Sequence, residues 1–218
     1  MINRSPWLWN DSQSAAGMTA VTQRGIRIIK GKRAPGQSNP SPQFIQSQVA
    51  AALLWPIIRG QIGFIRSNVT NIPLGQTAVN VIYKKDYATG IDKSLPGLAT
   101  LIPAGLAFSS GVMTPTPVLT VVATAAIDEV TFTWDPAVAD ASQSPDDMVA
   151  YVIRNARNGR MIGIESGIRA DGTSTTLVPA LDIQPTDVIG VYLNFKGAIG
   201  TGTEGTTSDT RFLSDVAA

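Results

Sequence analysis

From Val118 onward the chain reads as short strands cut by turns, and this rhythm limits the possible folds more than any other feature. Glu129-Val130-Thr131-Phe132-Thr133-Trp134 alternates strictly, so Val130, Phe132 and Trp134 share one face and the threonines the other. Val118 to Thr124, Met148 to Asn155 and Val188 to Phe195 are apolar runs of strand length. The dipeptide Asn158-Gly159 predicts a tight hairpin with Arg160 to Ser166 as the returning arm. Ser174 to Pro179 and Thr210 to Leu213 add two further strands, and the Gly/Thr-rich stretch 197–207 reads as a loop. Strands at this spacing predict an antiparallel immunoglobulin-like β-sandwich over 118–218, in a chain that is mainly β.

The residues before it follow other periods. Ser41-Pro42 is a helix start, with Ser as N-cap and Pro in the first turn. A helix is predicted from Pro42 to about Trp55, with Phe44, Ile45, Val49, Ala52 and Leu53 as its apolar stripe. Pro56 should end or kink it, and Ile57 to Ser67 resumes as a second helix weakened by Gly60 and Gly63. From Val69 the period shortens to two: Asn80, Ile82 and Lys84 alternate with Val79, Val81 and Tyr83, which predicts a strand. A Pro/Gly-rich connection follows, up to Pro117. The expected organisation is an extended basic arm over 1–41, a helical segment over 42–67, a strand and connection over 68–117, and the sandwich over 118–218.

Charge divides the chain sharply. Residues 1–94 carry eleven Lys/Arg against Asp11, Asp86 and Asp92, a net of +8, whereas residues 95–218 carry six against thirteen acids, a net of −7. The near-neutral total of +1 therefore hides a strong asymmetry, of the kind that suggests a polyanionic or acidic partner for the basic half. Its densest part is 24–33, where Arg24, Arg27, Lys30, Lys32 and Arg33 occur without an acid. Ile26 and Ile28 alternate with Arg27, so a short strand is expected there. Such a segment can neutralise phosphates or meet an acidic patch on a neighbouring subunit. No aromatic residue is interleaved, so base stacking is not indicated. Trp7 and Trp9 lie further out on the arm and are candidate anchors into a partner's pocket.

The chemistry-bearing inventory is thin. With no Cys and no His, disulfides, thiolate metal sites and the common Ser-His and Cys-His nucleophile arrangements are excluded. Asp135, Asp140, Asp146 and Asp147 cluster in sequence after Trp134, but their spacing matches no Ca²⁺ loop, and loop aspartates ordinarily form turns. No phosphate-binding glycine motif is present. Asn10-Asp11-Ser12 and Asn68-Val69-Thr70 match the glycosylation pattern, without a signal peptide to give it meaning. No catalytic residue, cofactor or metal is expected, and no uncharged apolar run is long enough to span a bilayer. The charged fraction of 15% is low for a solvated surface, which suggests either cover by neighbouring subunits or a Thr/Ser/Asn/Gln-rich surface on an ordinary β domain.

Several stretches in this order also resemble a known family. They are Gln23-Arg24-Gly25-Ile26-Arg27, the Pro-rich linker, the Gln-bearing helix Gln43 to Trp55, and Phe108-Ser109-Ser110-Gly111-Val112-Met113-Thr114-Pro115. Val130-Thr131-Phe132-Thr133-Trp134-Asp135, Val149 to Ile153 and Val188-Ile189-Gly190-Val191-Tyr192-Leu193 complete the series. Over residues 17–196 the chain resembles a family of uncharacterised Bacteroidota and phage proteins. It departs from them in lacking a Trp near Arg24. The resemblance implies a basic N-terminal segment, a C-terminal β domain and a phage context, and no mechanism.

The function expected is a non-enzymatic structural protein of a phage virion or similar assembly, self-associating through its N-terminal arm. Its partners would be further copies of itself, other virion proteins and, through the basic arm, nucleic acid. It would be made in the host cytoplasm and reside in the virion, the alternative being a cytoplasmic protein. Two alternatives are an immunoglobulin-like adhesion module binding glycans through Trp134 or Tyr192, and a nucleic-acid-binding protein acting through 24–33.

Overall fold

Strand alternation and two apolar clusters organise the computed structural model. It describes residues 41–218 in full and, before them, the backbone of strands β1 (Ser14–Ala15), β2 (Met18–Gln23) and β3 (Ile26–Gly31). These three pair antiparallel in the order β1-β2-β3, with Val21 opposite Ile28 and Thr22 opposite Arg27. The stretch expected as an extended arm thus contains a small sheet, and the basic segment supplies its third strand. Chain contacts divide the protein into two units, Met1–Phe44 and Ile45–Ala218. Trp7, Trp9, Arg24, Lys32 and Arg33 lie outside the described residues. Arg27 and Lys30 fall on β3.

After a short antiparallel pair, β4 (Ile91–Asp92) and β5 (Thr100–Leu101), seven strands build the sandwich of the second unit: β6 (Val118–Thr124), β7 (Glu129–Trp134), β8 (Met148–Asn155), β9 (Met161–Ile168), β10 (Thr173–Leu177), β11 (Val188–Lys196) and β12 (Arg211–Val216). One sheet has the order β10-β7-β6 and the other β12-β11-β8-β9, with every pairing antiparallel. This is an immunoglobulin-like sandwich in a chain that is mainly β, as the alternation predicts. The inward residues of β7, β8 and β11 make the core: Val130, Phe132 and Trp134, Tyr151 and Ile153, and Val191 and Phe195. Phe132 sits edge-on to Tyr151 with centroids 4.7 Å apart, and burying one such ring contributes about 2–3 kcal/mol.

A second cluster lies on the outer face of the four-stranded sheet. Helices α1 (Pro42–Gly60), α2 (Ile62–Asn68) and α3 (Ala78–Thr89) bring Leu54, Ile58, Ile65 and Ile82 onto Val152 and Tyr192. This explains why β8 and β11 are buried almost throughout, since both faces of these strands are covered. From Ile45 the helical segment, the connection and the sandwich lie within one unit, Ile45–Ala218.

Three local expectations are corrected. Residues 78–89 form a helix, not the strand read from alternation at 79–84. Thr77 caps it, its Oγ1 accepting the Asn80 N–H at 3.1 Å, and Ala78, Ile82 and Asp86 point inward at a spacing of four. In α1 the buried residues are Ala50, Leu54, Ile57 and Ile58, so the stripe lies one step from the expected one and Ile45 is 40% exposed. Pro56 does not end α1. The chain turns instead at Gln61, where α1 and α2 meet at 77°. Among the described residues no single helix is long and apolar enough to cross a membrane.

Candidate functional site

Buried polar groups gather at two places in the second unit, and they differ in how fully they are satisfied. The first is where β8 begins and β9 ends. Asp147 and Arg169 are both fully buried there, with Nε 3.3 Å from Oδ2. Arg169 also donates to Thr116 Oγ1 at 2.6 Å and lies 3.9 Å above the Phe195 ring. Asp147 accepts from the Ser144 N–H at 2.7 Å and from Thr203 Oγ1 at 2.9 Å. The Trp134 indole donates to the Arg169 carbonyl at 2.8 Å. Burial pushes the Arg169 guanidinium below its usual value, and Asp147 opposes this. Every charge here is matched from within the chain, so the arrangement is a structural lock between the sheets.

Of the acids after Trp134, Asp135, Asp140 and Asp147 are engaged within the chain. Asp147 is engaged by Arg169 rather than a metal. Asp140 accepts from the Ser142 N–H at 2.7 Å and Asp135 from the Ala137 N–H at 2.9 Å, both as turn formers. No group of three or more metal-ligating side chains is present among the described residues. Trp134 and Tyr192 are 2% and 1% exposed, so neither offers a stacking surface to a glycan. Asn68 is fully buried and donates to Glu165 at 2.7 Å, tying α2 to β9, so it is no glycan acceptor either.

The second place is the outer face of the β12-β11-β8-β9 sheet, at the opposite end of β8. Cross-strand register sets Arg154 opposite Gly190, and Gly190 opposite Ser214. The adjacent row sets Val152, Tyr192 and Phe212 side by side. Where the chain has Gly190 the row has no side chain, and a notch opens beside the Phe212 ring. A Cβ at Gly190 would meet Phe212 Cε2 at 2.7 Å. The turn at Pro103–Gly105 forms one wall, so that Pro103, Arg154, Gly190, Tyr192, Phe212 and Ser214 are among the residues lining a mainly apolar cavity of about 250 Å³. A neighbouring glycine on this face, Gly163, is treated differently. A Cβ there would meet Gln61 at 2.7 Å and Phe64 at 2.8 Å, so the helical layer covers Gly163, whereas the Phe212 ring of the sheet itself covers Gly190 and the cavity opens beside that ring.

The polar groups near this cavity are incompletely matched. Arg154 is half-buried, its Nε is sealed from solvent without a hydrogen-bond partner, and no carboxylate pairs with it among the described residues. Tyr192 donates its hydroxyl proton to the Pro103 carbonyl at 3.1 Å and packs against Phe108 and Phe212, both at 4.8 Å between centroids. Burial pushes the Tyr192 hydroxyl well above its usual value, and the Arg154 guanidinium pulls the other way. On α3, Asp86 is fully buried, with Oδ1 accepting the Ala107 N–H at 2.7 Å and Oδ2 without a partner. Burial raises its carboxyl to about 7, against the Ala107 hydrogen bond and Lys85. Strand alternation alone places Arg154 on the outer face of β8. That a helical layer covers part of this face and leaves Arg154 at its margin is a tertiary fact with no local signature.

No family model matches the chain, and no curated protein matches it. Among solved structures, the chain is similar to the fn3 domain of human collagen alpha-1(XX) chain, with 15% identity over 50% of this chain and 87% of that one, at a TM-score of 0.33.

Proposed function

We propose that this chain is a non-enzymatic structural module that self-associates through its N-terminal unit, as a component of a virion or similar assembly. One observation carries the reading: the two units carry net charges of opposite sign. Residues 1–44 hold six Lys/Arg and one acid, a net of +5, and residues 45–218 hold eleven against fifteen, a net of −4. A basic unit on one copy is complementary to the acidic unit of the next, which favours head-to-tail contact. The strand β3 adds a second element of support. Among the described strands it pairs with β2 alone, and an edge of this kind accepts a strand from another chain. The phage context comes from the resemblance over residues 17–196.

Sedimentation velocity of the full chain tests the proposal. It should sediment as an oligomer at about 0.05 M salt and shift toward monomer by about 0.5 M, as screening shortens the reach of the charges. Neutralising Arg24, Arg27, Lys30, Lys32 and Arg33 to Gln should give monomer at both salts. A monomer at every salt and concentration contradicts the reading. Absorbance at 260 nm in the same run detects bound nucleic acid, and salt-sensitive nucleic-acid binding by a monomer would favour that alternative instead.

A further inference from the structure

The geometry points to the cavity beside Arg154 as a binding site for a small monocarboxylate with an apolar body. Its walls and its charge ask for different things, and one class of molecule supplies both. Ile102, Pro103, Val188 and Phe212 present carbon surface, which favours a planar or short aliphatic group. Arg154 lines the cavity and contributes a permanent cation whose planar fork matches a carboxylate, and among the described residues no carboxylate pairs with it. A guanidinium half-buried against apolar surface loses hydration, and an anion recovers that loss more fully than a neutral acceptor does. Ser214, two positions along the same cross-strand row, supplies a hydroxyl near the mouth. A cavity of about 250 Å³ lies below the usual range for drug-sized ligands, so the occupant is a small acid held whole rather than a peptide crossing the face.

The notch itself is a consequence of sequence. Gly190 removes the one side chain that would stand between Arg154 and Ser214, and any larger residue would press on Phe212. At Gly163 the cover comes from Phe64 and Gln61 of the helical layer, whereas at Gly190 it comes from the Phe212 ring of the sheet itself. Beside that ring the cavity stays open, and Arg154 lines it. This site lies wholly within residues 45–218 and does not depend on the assembly proposed above.

Benzoate and benzamide, near-identical in shape and differing in charge, test the inference on the full chain by isothermal titration and by amide chemical shifts. Benzoate should bind at least about tenfold more tightly than benzamide, with shifts centred on Arg154, Gly190 and Tyr192. In Arg154→Met, which keeps a long side chain and removes the cation, benzoate affinity should fall to that of benzamide. Equal affinity of the two probes for the native protein, no binding of either, or benzoate binding unchanged in Arg154→Met would each overturn the inference. The first comparison needs no variant and stands even if Arg154→Met fails to fold.

Discussion

Two arginines at opposite ends of one strand show how the same side chain serves different ends. Arg169, beside the start of β8, is fully buried and meets a carboxylate, a hydroxyl and an aromatic face. Arg154, seven residues along from Asp147 and about 23 Å away at strand rise, is half-buried and meets the Tyr192 hydroxyl but, among the described residues, no carboxylate. The first lies between the sheets, where the chain can surround it. The second lies at the margin of the helical layer, where cover runs out. A buried cation whose partners all come from the chain holds the fold together, whereas one left short of partners is available to a molecule from outside.

The largest expected effect comes from breaking the matched end. Asp147→Ala leaves the Arg169 guanidinium buried without its carboxylate and should destabilise the protein by about 3–5 kcal/mol in urea unfolding. Replacing both residues, Asp147→Leu with Arg169→Met, should recover much of that loss. A single substitution that unfolds at the native midpoint would show that the pair is not the lock described.

Next in size is a pH effect from the helix–sheet side. Folded Asp86 keeps its proton up to about pH 7, whereas the unfolded chain releases it near 3.8. Between these values the native state binds the extra proton, so stability falls as pH rises across that window, by roughly 1.4 kcal/mol per unit at most. Thermal unfolding of the native protein should therefore weaken from pH 5 to pH 8 relative to Asp86→Asn, which removes this contribution. Parallel pH profiles for the two proteins would contradict the assignment. Asp187 acts in the opposite sense. Burial raises it, but the Gln184 N–H, Asn155 and Arg157 outweigh that and hold its carboxyl below the usual range. Its contribution is present at neutral pH and is lost as pH falls through that depressed value.

Smaller effects separate the two ends further. Trp134→Phe removes the hydrogen bond to the Arg169 carbonyl and part of the ring volume, and should lower stability by about 1–3 kcal/mol. Arg154→Met removes an unmatched cation and should leave stability within about 0.5 kcal/mol of native, on either side. A large loss at Arg154 in chemical denaturation would make it a second lock and erase the contrast.

The sandwich was legible in the sequence because each strand carries its own signal. Val130, Phe132 and Trp134 alternate with threonines, Asn158-Gly159 marks a hairpin, and apolar runs at 148–155 and 188–195 match strands with both faces covered. The helical layer was half legible. Ser41-Pro42 announced α1, but 79–84 satisfies both a two-residue and a four-residue period, and only the Thr77 cap and burial of Ala78, Ile82 and Asp86 decide for a helix. The two sites were legible as residues and not as sites. Asp147 stood in a visible acidic cluster, while its partner Arg169 is 22 positions away and joins it through the β8–β9 hairpin. Arg154 and Gly190 are ordinary strand residues until antiparallel register sets them side by side.

Arginine Nε–H spectra of the full chain compare the two ends in a single experiment. On addition of benzoate the Arg154 resonance should move, because an anion comes to lie beside its guanidinium, while the Arg169 resonance stays in place and exchanges slowly with solvent. A benzoate titration in which the Arg154 signal does not move, or in which both signals move together, would contradict the division between a locked arginine and an available one.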